Sequence, residues 1–278
     1  GHMNTVPITL INGEFQEQVS IRDRGFQYGD GLFETVAVTR GKPIFWDRHM
    51  RRLWHGAERL GFTPPPELLL CQEAEQLCMN HERAVLKIII TRGASGRGYG
   101  PVAGASPTRV LNLSPWTDYP SAYAQQGVTV RFCRMTLARN RFLAGIKHLN
   151  RLEQVLARTE WQDDYQEGLM QDADGHVVEG TMSNVFAVSK GTLLTPDVSQ
   201  CGVEGVMRGV VIECAAAASI PCRVTDIRRQ DILDADEIFL TNSLIGLWPV
   251  RMLEGQNLSV GHITRQLQQA LYDAQEIN

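Results

Sequence analysis

The chain has 278 residues, 43% of them hydrophobic, enough to build a sizeable core in one or two domains. A formal charge of −4 argues against general nucleic-acid binding. No run of 18 or more apolar residues occurs, so nothing reads as a membrane span.

Gly1, His2 and Met3 read as a cloning scar, and no signal-peptide pattern precedes the first strand. Ile8–Ile11 and Glu14–Ser20 read as strands around the turn Asn12-Gly13. Gly31–Arg40 is a third strand, and Gly41-Lys42 turns the chain into Pro43-Ile44-Phe45. Asp47 is a candidate N-cap for a helix whose Met50, Leu53, Trp54, Ala57 and Leu60 keep helical spacing until Gly61. After Pro64–Pro66 a second helix covers about Glu67–Asn80. Ala84–Arg92 is a strand, Gly93–Ala105 a glycine-rich loop, and Thr108–Leu113 another strand. Pro115–Ala122, with two prolines and little apolar character, reads as a linker between domains.

The second half opens with the strand Val128–Met135. Arg139–Lys147 has no period and reads as a loop leading onto a strand end. Leu152, Val155, Leu156 and Thr159 predict a helix to near Asp164. Hairpins turn at Ala173-Asp174-Gly175 and at Lys190-Gly191. A helix over Val206–Ser219 follows, then strands Arg223–Ile227 and Glu237–Thr241 around a helical segment at Gln230–Leu233, and a last helix from Gly261. Hairpins among alternating strands and helices predict a mixed α and β fold, not a simple doubly wound sheet. The six cysteines lack metal-ligand or disulfide spacing and read as reduced residues of a cytoplasmic protein.

There are 23 arginines but only four lysines. Lys42 and Lys190 adjoin turn glycines, and Lys87 lies inside a strand, where it reads as pointing to an open sheet face. Lys147 ends the apolar stretch Phe142-Leu143-Ala144-Gly145-Ile146, and apolar surroundings lower a lysine pKa in the way Schiff-base chemistry uses. Taken alone, an ordinary partly exposed lysine is the stronger reading.

Three motifs add to this. Asp23-Arg24-Gly25-Phe26-Gln27-Tyr28-Gly29-Asp30-Gly31-Leu32-Phe33-Glu34-Thr35 resembles the N-terminal signature of the fold-type IV pyridoxal 5'-phosphate enzymes, the class-IV aminotransferase family. His49-Met50-Arg51-Arg52-Leu53 is similar to the element whose last arginine holds the cofactor phosphate. Val178-Glu179-Gly180 with Ser183-Asn184-Val185-Phe186 resembles its second-domain signature. Within the class, Thr91–Tyr99 and Leu143–Gln154 look like the glycine-rich loop and lysine segment of aminodeoxychorismate lyases. Branched-chain enzymes usually carry tyrosine where Asn150-Arg151 stands.

The resemblance implies two domains, a smaller α/β one over 4–114 and a larger barrel-like α/β one over 122–278, joined by 115–121, with the cofactor between them and Lys147 from the larger. It implies a homodimer acting on a small molecule; the charge and the apolar runs argue against nucleic acid and membrane as partners. It gives Lys147 the Schiff base and the role of general base, and Glu179 the pyridinium nitrogen, although a glutamate at a strand end can also be a surface residue. Arg52, the first turn at Val206 and Met207, and Ser243 with the amide of Leu244 would hold the phosphate; the helix start is a physical argument, and Ser243 could equally cap a turn. Arg97, Tyr99 and Arg151 are candidates for substrate carboxylates, with a mobile loop charge the other reading of Arg97. Tyr28 and Phe33 suit pocket walls or the core, and Thr35 suits a substrate-facing hydroxyl or a buried strand position. The implied reaction turns 4-amino-4-deoxychorismate into 4-aminobenzoate and pyruvate. A D-amino-acid or branched-chain-type aminotransferase is the alternative. A nucleotide-binding module is a third reading, against which Gly93–Gly100 matches neither the P-loop nor the dinucleotide pattern.

Overall fold

The computed structural model describes residues 5–278; the segment read as a cloning scar lies outside them. The chain divides into two units, one of residues up to Asp118 plus Ile146–Asn150, the other of Tyr119–Gly145 plus Arg151–Asn278.

In the first unit β1 (Ile8–Ile11) turns through Asn12 and Gly13, both at positive φ, into β2 (Glu14–Phe15). The strand stops five residues before Ser20, and Glu14 through Ser20 are all exposed. A short helix follows, α1 (Arg24–Tyr28), capped by Asp23, whose carboxylate accepts the Gly25 N–H at 2.8 Å. One turn is too short for periodicity to reveal. Next come β3 (Gly31–Thr39), β4 (Lys42–Pro43) and α2 (Trp46–Leu60), which ends on Gly61 at φ 80°. The N-cap of α2 is Phe45, with no side-chain bond, and not Asp47, which sits inside the first turn and favours the helix through its dipole. Then α3 (Glu67–Cys78), β5 (Arg83–Thr91) and β6 (Thr108–Pro115) complete an antiparallel sheet in the order β2-β1-β6-β5-β3-β4.

Strand alternation divides this sheet into two chemistries. On one face Leu32, Val36, Val38, Leu86, Ile88 and Ile90 are buried, and α2 packs against β3 with Met50, Leu53 and Ala57 also buried. The opposite face carries Phe33, Thr35 and Lys87, which remain partly or fully exposed.

β4 pairs only with Val38 and Thr39, so the other edge of β3 is left without a strand along its first half. The segment 146–150 takes that place. The Phe33 N–H donates to the Lys147 carbonyl at 3.0 Å, and the Leu149 N–H donates to the Gly31 carbonyl at 3.1 Å. Sequence reading placed Lys147 in the larger domain, but these two bonds bind its backbone to the first unit, because free strand edges recruit whatever backbone can pair.

The second unit contains α4 (Ser121–Gln125), which begins inside the predicted linker and its first following residues, then β7 (Val128–Leu137) and α5 (Leu152–Arg158). The helix α5 ends six residues before Asp164, and its predicted apolar stripe, Leu152, Val155 and Leu156, points outwards. Then follow β8 (Glu167–Asp172), β9 (Val177–Gly180), β10 (Asn184–Ser189), β11 (Thr192–Pro196), α6 (Val206–Ala217), β12 (Cys222–Thr225), α7 (Arg229–Leu233), β13 (Glu237–Asn242), β14 (Gly246–Leu253), β15 (Gln256–Asn257) and α8 (His262–Ile277). Sequence reading missed β14, whose Pro249 argues against a strand, yet Pro249 pairs with Phe239 of β13.

The sheet runs β12-β11-β10-β13-β14-β7-β8-β9, with β15 on β14 and parallel pairing at β11/β12, β14/β7 and β7/β8. Its end strand β9 joins β10 through Thr181–Ser183 alone. A flat sheet would separate them by about 24 Å, and the link spans about 14 Å at most, so the sheet curls back on itself. The expected barrel-like second domain has this basis. Among the described residues no helix is long and apolar enough to cross a membrane, and no group of three metal-ligating side chains occurs.

A Cβ on Gly31 would lie 2.5 Å from the Ile90 carbonyl oxygen and 2.8 Å from Leu149 Cδ1. Gly31→Ala should therefore cost about 1–3 kcal/mol, read as a lower denaturation midpoint in urea.

Candidate active site

Within the first unit, the Lys147 ammonium stands 4.7 Å from the centroid of the Phe33 ring, and the lysine is half-buried. The ring face favours a cation over bulk water only modestly.

Beside it on β3 and α2 lies a buried charge cluster. Arg52 grips Glu34 with two bonds, Nε to Oε2 at 2.9 Å and Nη2 to Oε1 at 2.6 Å. The His49 Nδ1 lies 2.7 Å from Glu34 Oε1. Glu34 and His49 are each 1% exposed. Burial raises the Glu34 carboxyl, but the Arg52 charge and the hydrogen bonds from His49 and Arg52 outweigh it and bring it down to about 2. Burial pushes His49 the other way, below its usual value, despite the hydrogen bond to Glu34. The pair is thus a neutral imidazole donating Nδ1–H to a carboxylate, and the ion pair proper is Glu34 with Arg52. Sequence reading singled out Arg52 and missed both partners, although Phe33-Glu34-Thr35 and His49-Met50-Arg51-Arg52 contain them. Arg51 is exposed, and Arg48 lies over the Phe45 ring.

The glycine-rich loop is organised by Asp23 and Arg24. Asp23 Oδ2 accepts from Thr91 Oγ1 at 3.0 Å and from Thr108 Oγ1 at 2.6 Å, joining both stems of the loop. Arg24 is 5% exposed; its guanidinium bonds Asp30, Ser95 Oγ and the carbonyls of Gly98 and Tyr99. The Tyr28 ring lies 5.1 Å from the Arg24 guanidinium and 5.1 Å from the Tyr99 ring, to which it is tilted by 59°. Arg97 and Tyr99 project from this anchored arch and are exposed. Thr35 lies on β3 directly opposite Lys87 of β5.

In the second unit Glu179, 4% exposed on β9, accepts the Val203 N–H at 2.8 Å through Oε1. Its charge also acts on Arg151, whose pKa is lowered by burial and supported by Glu179 and Glu153. The turn after Glu179 is held by Glu167, fully buried, whose two oxygens accept from Thr181 N and Oγ1, Met182 N and Ser183 Oγ. The helix α6 starts at Val206 and Met207, both buried, after Gly205, which offers no side-chain cap. Its first N–H groups therefore face outward along the axis as an anion-favouring terminus. A Cβ on Gly205 would lie 2.1 Å from Asn184 Oδ1, so any side chain there would have to displace the Asn184 amide. Ser243 lies in the tight turn between β13 and β14. The Leu244 amide, a candidate phosphate donor from the sequence, donates instead to Asn242 Oδ1 at 2.9 Å. Nearby on β13 the hydroxyl of Thr241 is buried with no hydrogen-bond partner.

A family model described as "Amino-transferase class IV" matches residues 31–253. The chain belongs to the class-IV aminotransferase family. This class-IV chain is 34% identical to an aminodeoxychorismate lyase of Vibrio harveyi over 93% of its own length and 97% of that protein. A solved 4-amino-4-deoxychorismate lyase of Pseudomonas aeruginosa is 47% identical, with a TM-score of 0.92 over 96% of this chain and 98% of the other. The Escherichia coli branched-chain amino acid aminotransferase is 26% identical, with a TM-score of 0.85 over 97% and 94%. The family and the mixed, two-part fold-type IV architecture expected from the sequence are borne out.

Because Glu34 is ionised further down the pH scale in the folded chain than in the unfolded one, its stabilisation is complete above about pH 4.5 and is lost as pH falls towards 2. The wild type should lose about 3 kcal/mol more than Glu34→Gln between pH 6 and pH 2.5, measured by urea denaturation at each pH. Arg24→Gln should free the Gly98–Tyr99 carbonyls and speed proteolysis at Arg97 several-fold, with the rest of the chain equally resistant.

Proposed function

We propose that this chain is a pyridoxal 5'-phosphate enzyme converting 4-amino-4-deoxychorismate to 4-aminobenzoate and pyruvate, a step towards folate. The observation that carries the chemistry is the Lys147 amine, half-buried over Phe33 in a backbone segment fixed at both ends. On the first-unit side that fixing is the pairing with β3. Before it, Gly145 at φ 84° exchanges backbone bonds with Gly202 and Glu204. The preference for lyase over transaminase chemistry rests on identity to aminodeoxychorismate lyases: 47% against 26% for a branched-chain aminotransferase among solved structures, and 34% against 31% for a "Putative branched-chain-amino-acid aminotransferase" among sequence relatives.

The residues present suit the cofactor. It needs an amine for its aldehyde, an acid for its ring nitrogen and cationic or N–H donors for its phosphate. Lys147 supplies the first and Glu179 the second. Arg52, the N-terminal turn of α6 and Ser243 are suited to the third, and the unpartnered Thr241 hydroxyl suits a polar ligand better than an apolar core. When bound, the cofactor supplies an electron sink for the negative charge left by proton removal. Lys147, once exchanged for the substrate amine, would take the proton from the ring carbon that bears the nitrogen. The substrate's carbon–oxygen bond to the enolpyruvyl group then breaks, and aromatisation makes the step downhill. Glu179 is assigned to the ring nitrogen, and the Val203 N–H donated to its Oε1 orients the carboxylate. Glu34 holds the Arg52 guanidinium in one orientation, so little entropy is lost when it meets an anion. Arg97, Tyr99, Tyr28, Thr35 and Arg151 are assigned to the substrate. The loop arch held by Arg24 supports this assignment for Arg97 and Tyr99.

We also infer a homodimer in the cytoplasm. Support for the pairing is the outward apolar stripe of α5, where Leu152 is 74% exposed. Six cysteines present as thiols support a reducing compartment.

The test is direct. Purified holoprotein should absorb in the visible range with a pH-dependent band and should release 4-aminobenzoate from aminodeoxychorismate without a second amino acid. Lys147→Ala should abolish both. Glu179→Ala should keep some cofactor and slow deprotonation severely. Arg52→Ala should weaken cofactor binding by about 2–4 kcal/mol. Rapid amino transfer from D-alanine to 2-oxoglutarate with no 4-aminobenzoate would overturn the lyase reading.

A further inference from the structure

Asn184 belongs to the second-domain signature, yet sequence reading gave it no task. Its surroundings in the second unit give it one. Gly145, two residues before Lys147 in the chain, forms an isolated parallel bridge with Val203. The Gly145 N–H donates to the Gly202 carbonyl at 2.8 Å, and its carbonyl accepts from the Glu204 N–H at 3.0 Å. The bridge thus uses the groups on either side of Val203, and the N–H and C=O of Val203 itself point away from Gly145. Two side chains take them in place of a second strand. Glu179 accepts the Val203 N–H at 2.8 Å, and the Asn184 amide donates Nδ2–H to the Val203 carbonyl at 2.9 Å.

Both side chains rise from one fixed corner. Glu179 lies on β9 and Asn184 opens β10, and the turn between them is bonded to the buried Glu167 through Thr181, Met182 and Ser183. On its other side Asn184 is in register with Thr241 of β13. Its side chain is buried, and its Oδ1 lies where a Cβ on Gly205 would be 2.1 Å away, so the amide rests against the backbone at the start of α6.

We propose that Asn184 is a positioning residue for the acid that meets the cofactor's ring nitrogen. It holds the backbone of Val203 at the carbonyl, so that the N–H of the same residue keeps Glu179 Oε1 in place. The inference rests on the assignment of Glu179 to the ring nitrogen made above. An amide suits the task because it donates a bond without adding a charge beside Glu179. A cation in its place would pair with that carboxylate and compete with the ring nitrogen for it.

The experiment uses the holoenzyme and follows the pH midpoint of the visible band, with kcat, KM and urea denaturation alongside. A ring nitrogen held less firmly as a cation draws less charge from the Lys147 nitrogen joined to the cofactor, which then keeps its proton to higher pH. Asn184→Ala should therefore raise the midpoint by about one pH unit. It should lower kcat about 10-fold with KM for aminodeoxychorismate changed far less. Glu179→Gln should raise the midpoint at least as far, and adding Asn184→Ala to it should raise the midpoint no further. Asn184→Leu, close in size and without a donor, should repeat the alanine result and decides the matter if the alanine variant does not fold. The proposal is overturned if a folded Asn184 variant keeps the wild-type midpoint, or if its shift adds in full to that of Glu179→Gln. Failure of both variants to fold would also overturn it, by making the amide a residue of the fold alone. If Glu179→Gln itself leaves the midpoint in place, the assignment of Glu179 falls and the inference with it, a result the single Glu179 variant reports separately.

Discussion

The short backbone pairing between residues 146–150 and the first half of β3 is the contact on which the rest of the site depends. Two hydrogen bonds at 3.0 and 3.1 Å set where the Lys147 side chain begins. They exist because β4 is only two residues long and leaves the edge of β3 unfilled. They also need Gly29 and Gly31. A Cβ at Gly29 would lie 2.5 Å from Asn150 Oδ1, and one at Gly31 would displace Leu149. The glycines of the signature therefore have a mechanical reason: they admit another stretch of chain.

Once that segment is in place, β3 sorts charge by strand alternation. Phe33 and Thr35 face the open side with Lys87 and the Lys147 amine, while Glu34, between them, is buried on the helix side with His49 and Arg52. A carboxylate in that position is costly to bury alone. Bidentate pairing with Arg52 and the His49 hydrogen bond offset the cost. In return the two bonds hold the Arg52 guanidinium in one orientation at the surface of the core. Removing Glu34 would take away both bonds, and with them the constraint they place on the guanidinium.

What the sequence showed and what it did not divide along the same physical lines. Long periodic elements such as α2, α6 and α8 were legible because burial of one face imposes the period. The turns at Asn12-Gly13 and Lys190-Gly191 were legible because positive φ restricts the residues. The one-turn helix α1 and strand β14 were not, the first for want of length and the second because Pro249 disguises it. The helix α5 shows a subtler failure: its period was right, but its apolar stripe faces outward, and a period cannot say which partner it awaits. For the candidate site, motifs singled out Lys147, Arg52 and Glu179. They did not single out Glu34, His49, Glu167 and Asp23, whose work is to hold other residues through contacts 14 or more positions away in the chain, as in Glu34 with His49 or Asp23 with Thr108.

The loop between β5 and β6 shows how much of the first unit's open side hangs on two side chains. Asp23 ties its stems through Thr91 and Thr108, and Arg24 bonds Ser95 Oγ and the carbonyls of Gly98 and Tyr99. Both residues are buried, whereas Arg97 and Tyr99 lie in water, Tyr99 being 82% exposed. The loop backbone is therefore held while its two exposed side chains can still reorient. The same Arg24 guanidinium bonds Asp30 at the entrance to β3, so the loop and the strand that pairs with residues 146–150 share one buried anchor.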